Sequence, residues 1–148
     1  MIGNTKYVTS PDVHIFCASI GDISSLRASM CGAQPNNLEP YDVCLLVKDP
    51  RLLAERIFLE GTLPQFGGAP VNRHFDILPF RSVSYEEVRT NAASGPIKVP
   101  SPYLKDRYFE GQAETRLVLR PKSRFDSPDL LMVEISNPRD LFSEIPLK

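Results

Sequence analysis

Polar and apolar residues alternate along Gln112-Ala113-Glu114-Thr115-Arg116-Leu117-Val118-Leu119. That is the period of a strand, whose successive side chains point to opposite faces. Gln112, Glu114 and Arg116 then share one face, and Ala113, Thr115, Leu117 and Leu119 share the other. Such a polar row is either a solvated sheet surface or the lip of a pocket, and alternation alone does not separate the two. The same reading predicts further strands. Residues 13–19 are rich in β-branched and aromatic side chains and stop at Ile20-Gly21-Asp22. Residues 41–47 hold the continuous apolar run Val43-Cys44-Leu45-Leu46-Val47, which predicts a central strand buried on both faces. Residues 74–85 interleave Phe75, Ile77, Val83 and Tyr85 with polar positions, and Pro79 there requires an edge or a bulge. Residues 130–135 read as a last strand.

Helical signals are fewer. Asp49-Pro50 supplies a cap and a first-turn proline for Leu52, Leu53, Ile57 and Phe58, which recur at helical spacing before Gly61 ends the helix. Short helices are predicted at 25–30, capped by Asp22 or Ser24, and at 85–89, where Ser84 and Glu87 have capping-box spacing. A helical turn at 102–108 and a final short helix at 136–144 complete the set. Residues 32–40, 61–70, 91–102 and 121–129 read as loops.

Composition narrows the fold class. The 148 residues include 14 prolines, which favour short elements joined by firm loops over a long bundle. Hydrophobic residues at 42% and charged residues at 24% are ordinary for a globular chain of this length. The expectation is one α+β domain over residues 1–148, a twisted and mainly antiparallel sheet of about five or six strands with two to four short helices.

A formal net charge of −1 creates no general field for nucleic acid or an anionic membrane. Cys17, Cys31 and Cys44 are odd in number and hold no Cys-x-x-Cys pair, so a reducing compartment is expected. No stretch approaches the length of an apolar membrane span, and no export signal follows Met1. These features predict a soluble, cytoplasmic chain with no membrane partner.

Gln112-x-Glu114 is the sharpest candidate for chemistry. A carboxylate that hydrogen-bonds a ribose hydroxyl stabilises the oxocarbenium-like state of glycosidic cleavage, and a polar neighbour on the same face orients an acceptor. The plainer alternative is an exposed Glu114–Arg116 pair on a sheet surface. His14 and Cys17 lie three apart, on opposite faces of a strand, which argues against a shared metal. His74 has no surrounding ligand set, so no metal site is assigned. Lys105, Arg107, Arg116, Arg120, Lys122 and Arg124 exceed Asp106, Glu110 and Glu114 by three charges, interleaved with Tyr108 and Phe109. Such a stretch suits a dinucleotide phosphate, a nucleic-acid backbone, an acidic protein surface, or plain solvation.

Gln-x-Glu at the start of a late strand, behind the aromatic Tyr108-Phe109, resembles the third motif of the ADP-ribosyltransferase superfamily. More narrowly, a strand ending Cys17-Ala-Ser19, a long apolar strand, a helix, a strand holding Phe80-Arg-Ser-Val-Ser-Tyr85, and Leu104-Lys-Asp-Arg-Tyr-Phe-Glu-Gly-Gln-Ala-Glu-Thr-Arg116 resemble a prokaryotic and phage family associated with defence and mobile-element genes. The resemblance runs over roughly residues 13–119, and its last segment is the distinctive one. It implies NAD as cofactor, Glu114 as the catalytic glutamate, Gln112 as the acceptor-facing residue and Ser19 as the brace. Within that reading, Tyr85 or Tyr108 is assigned to stack on nicotinamide and Arg27 or Arg116 to meet phosphate, and the expected activity is ADP-ribose transfer to a host macromolecule. The arginine or histidine of the superfamily's preceding strand has no counterpart in residues 1–10. The alternative is therefore a non-catalytic protein, such as a phage or mobile-element inhibitor of a host complex, that uses the same scaffold to bind a protein.

Overall fold

The structure, a computed structural model, describes residues 13–25, 43–86, 101–123 and 130–146. Expectations for residues 26–42, 87–100 and 124–129 lie outside the described residues. The first strand, β1 (His14–Ser19), falls where the apolar run predicts it. Beyond it the Asp22 carboxylate accepts from the amides of Ser24 and Ser25 at 2.9 and 3.0 Å, capping the helical residues 23–25.

The strand β2 (Val43–Val47) precedes α1 (Pro50–Glu60). Asp49 starts this helix by accepting from the amides of Arg51 and Leu52 at 2.9 and 3.0 Å. Pro50 fills a position whose missing N–H costs nothing, and the Gly61 amide closes the last turn on the Arg56 and Ile57 carbonyls. Residues 61–70 are not the irregular loop expected. They form the hairpin β3 (Thr62–Leu63) and β4 (Ala69–Pro70) around a 3-10 turn at Pro64–Phe66, with Gly67 left-handed at φ 65°. A single helical turn, α2 (Val71–His74), leads into β5 (Phe75–Ser82). Then follow β6 (Ser84–Glu86), β7 (Leu104–Asp106), a 3-10 segment at Arg107–Gln112, β8 (Glu114–Pro121), a 3-10 turn at Pro138–Asp140 and β9 (Phe142–Pro146).

The fold is α+β, with mainly antiparallel pairing and a few short helices. In place of one sheet of five or six strands, the described strands form a three-stranded sheet in the order β1-β8-β5 and three two-stranded pairs. Three further corrections concern elements. Among the described residues the run in β2 is not central: β2 pairs on one side only, with β9, and Leu45 and Leu46 are 60% and 49% exposed. Residues 130–135 make no strand, only an isolated bridge between Thr62 and Glu134. Where helices were expected from residue 85 and through 144, the chain is extended in β6 and β9, the former pairing parallel with β7. Pro79 marks the expected irregularity, a register shift between Leu78 and Arg81 against β8.

The core lies on the Leu117–Leu119 face of β8, where α1 contributes Leu53 and Ile57 and the hairpin and α2 contribute Leu63 and Val71. Phe75, Leu63, Val71 and Leu117 are fully buried. Each side chain removed from water in this way stabilises the fold by about 1.5–3 kcal/mol. The opposite face of β8 is covered too: Val118 is fully buried and Glu114 is 7% exposed. The polar row is therefore not a solvated sheet surface. No helix among the described residues is long and apolar enough to cross a membrane.

Candidate functional site

β8 begins at Glu114, not at Gln112 as alternation predicted. Gln112 closes the 3-10 segment, and Ala113, left-handed at φ 43°, turns the chain into the strand. The backbone on either side is fixed. Ile20 N–H donates to the Ala113 carbonyl at 2.8 Å, Val83 N–H donates to the Glu114 carbonyl at 2.9 Å, and Glu114 N–H donates to the Tyr85 hydroxyl at 2.7 Å.

The Glu114 carboxylate sits between two cations. Arg116 Nε donates to Oε1 at 2.5 Å, and Lys105 Nζ donates to Oε2 at 2.5 Å. Lys105 donates as well to Gln112 Oε1 at 2.6 Å, and its ammonium lies 4.8 Å from the centre of the Phe109 ring. Arg116 is further held by the Pro102 carbonyl, which accepts from Nη1 at 2.5 Å. Across the antiparallel pair, Ser19 stands directly opposite Glu114, and Cys17 stands opposite Arg116. On the other flank Arg81 stands opposite Arg116, its guanidinium 5.5 Å from the centre of the Tyr103 ring. Tyr103 is fixed by its hydroxyl, which donates to the Pro79 carbonyl at 3.3 Å.

Burial pushes the Glu114 carboxyl up, but hydrogen bonds from Arg116, Lys105 and Cys17 and the Arg116 charge outweigh it and hold the group at about 2. The group is anionic at neutral pH. For Arg116, burial is the largest influence and acts downward, but Glu114 and Cys17 together raise the group above its ordinary value, so its guanidinium stays charged. Burial and the neighbouring Glu114 push the Cys17 thiol up, against the opposing pull of Arg116. A buried ion cluster of this kind is weak evidence for stability, because desolvation offsets much of the attraction. Perturbed groups gathered in one place are a recognised mark of function.

Five of the seven sequence candidates meet here: Ser19 from β1, Tyr85 from β6, Gln112 from the 3-10 segment, and Glu114 and Arg116 from β8. Tyr85 engages the cluster through its hydroxyl. Tyr108 is not brought in; it is 78% exposed, with its ring edge-on to Phe109 at 5.1 Å. Arg27 lies outside the described residues. Lys105, which joins Gln112 to Glu114, was legible in the sequence only as one charge in a basic stretch.

Chemically the site offers a fixed anion. A carboxylate has about four lone-pair sites, so each Glu114 oxygen retains acceptor capacity for a ligand hydroxyl. Of the two cations Lys105 is the more exposed, its side chain at 22% against 13% for Arg116. An apolar cleft of about 420 Å³ lies elsewhere, lined by His14, Leu53, Ile57, Leu131, Val133 and Phe142 among others, and does not include Glu114. No family model matches the chain, and no curated protein and no solved structure matches it.

Proposed function

We propose that this chain is an ADP-ribosyltransferase-like protein that binds NAD beside the start of β8. The observation that carries the reading is the convergence of Ser19, Gln112, Glu114 and Arg116 from three separate segments around one buried carboxylate. In this reading Glu114, anionic at neutral pH, stabilises the positive charge that develops on the ribosyl carbon as nicotinamide leaves. Ser19 braces that end of the site, Gln112 faces the acceptor, and Lys105 holds Gln112 and Glu114 in fixed relation. The acceptor is a host macromolecule, in the phage or mobile-element setting that the sequence resemblance implies. The test is transfer of label from adenine-labelled NAD into the proteins of a host lysate. Wild type labels an acceptor and Glu114→Gln, which keeps the side chain's shape, does not. Equal labelling by both would remove Glu114 from the reaction.

A second reading rests on a different observation. Both Glu114 oxygens are already engaged, while Tyr108 and Phe109 stand on the surface next to Lys105. In that reading the ion cluster shapes a contact surface for a host protein and performs no transfer. Capture of a stable partner that Tyr108→Ala abolishes, with no NAD turnover, is its expected result.

A further inference from the structure

We infer that Arg81, and not Arg116, is the guanidinium that meets the phosphates of the ligand bound at Glu114. The inference rests on the NAD reading for the ligand's identity and on independent geometry for the residue. Arg116 is largely committed: Nε is bonded to Glu114 and Nη1 to the Pro102 carbonyl, and its side chain is only 13% exposed, so its remaining donors are poorly placed for a ligand. Arg81 is exposed and makes neither a hydrogen bond nor an ion pair among the described residues. Its place is nonetheless defined. The register shift after Leu78 sets Arg81 directly opposite Arg116 in the sheet, and Tyr103 lies against its guanidinium.

That arrangement is unfavourable without an anion. Like charges directly opposite each other in a sheet are destabilising, and Glu114 neutralises the Arg116 member alone. The acidic residues described nearby, Glu86 and Asp106, do not face the gap. Along the parallel pair of β6 and β7, Tyr85 and Lys105 occupy the rung between Ser84–Leu104 and Glu86–Asp106. Tyr85 and Lys105 reach Glu114, so Glu86 and Asp106 project from the other face of the ribbon. Asp106 also accepts from the Tyr108 amide at 2.8 Å. Among the described residues, the flank of the carboxylate cluster toward β5 therefore holds a planar donor fork with no side-chain acceptor, set on an aromatic ring, and such a fork matches phosphate oxygens bidentately. Ribose hydroxyls at Glu114 and phosphates at Arg81 fit one nucleotide laid across the strand pair.

The experiment is calorimetric titration at low salt of wild type, Arg81→Ala, Arg81→Lys and, as a control on the exposed side of α1, Arg51→Ala with NAD, inorganic pyrophosphate and nicotinamide riboside. Arg81→Ala is expected to weaken NAD at least about tenfold, the scale of one charge-assisted contact, and to abolish pyrophosphate binding. Arg81→Lys recovers part of the loss, Arg51→Ala changes nothing, and the riboside, which carries no phosphate, binds all four proteins alike. Unchanged thermal midpoints certify that this exposed position leaves the fold intact. Equal NAD affinity in wild type and Arg81→Ala overturns the inference and leaves the NAD reading standing. Pyrophosphate bound through Arg81, with no NAD bound by any variant, removes the NAD reading and keeps Arg81 as an anion site. No binding of either probe overturns both.

Discussion

Replacing Glu114 by Gln exchanges a carboxylate clamped between Lys105 and Arg116 for a neutral amide of the same shape, and its effect on stability depends on pH in a defined way. In the folded chain the carboxyl titrates at about 2, against an ordinary value of 4.5. Because the folded value is depressed, the unfolded chain takes up the proton first as pH falls. The stabilisation is thus complete well above 4.5 and is lost between about 4.5 and 2. Each pH unit of separation corresponds to 1.36 kcal/mol, so the ionised group contributes about 3 kcal/mol at neutral pH. Urea unfolding at a series of pH values from 7 to 2.5 measures it. Glu114→Gln should be less stable than wild type by about 3 kcal/mol at pH 7, and the two stability curves should converge toward the acid end. Comparing the two proteins isolates Glu114, since Asp22 and Glu60, also held below their ordinary values, titrate in both. Parallel curves, or equal stability at pH 7, would refute the claim that the cluster is electrostatically coupled.

Gly61→Ala should lower stability by about 1–3 kcal/mol in urea titration, because its added Cβ would collide with the Ile57 carbonyl oxygen and approach Val71 Cγ2 to 2.9 Å. Removing the carboxylate that caps α1, Asp49→Ala, should cost about 1 kcal/mol and reduce helical circular dichroism on mild heating. Alkylation of Cys17 by iodoacetamide at pH 8, followed by mass spectrometry, should be slow although the residue is exposed, because partial desolvation of its thiol and the adjacent Glu114 carboxylate raise its pKa and deplete the thiolate. In Glu114→Gln the same reaction should accelerate, and an unchanged rate would remove Glu114 as a cause.

The parts of the fold that were legible in the sequence are those whose signals are local. Asp49, Pro50 and Gly61 bracket α1 through caps that act within one turn, and Pro79 announces a break that β5 must absorb where it meets β8. Where pairing decides, sequence said less. The run at 43–47 announces a strand, but nothing in it tells that β9 is its partner and that Leu45 and Leu46 stay exposed. The strands β6 and β7 are three residues each, too short for alternation to register. Their parallel pairing is nonetheless what brings Lys105 to Glu114, nine positions away in sequence. Alternation correctly set Glu114 and Arg116 on one face but counted Gln112 into the strand. It reaches the same carboxylate through the left-handed Ala113 and the Lys105 ammonium. Ser19 meets Glu114 because β1 pairs antiparallel with β8 in that register, a long-range fact that the motif suggested and the register places.

The central claim is that the Glu114 carboxylate acts on NAD. Proton NMR of NAD incubated with purified wild type and with Glu114→Gln follows it directly, through the appearance of free nicotinamide as water, in place of the macromolecular acceptor, takes the ADP-ribosyl group. The account predicts release by wild type above the uncatalysed background and a loss of at least about a hundredfold in the variant, the scale of removing one group that stabilises the transition state. Release at the same rate from both proteins, or at background from wild type, would contradict it.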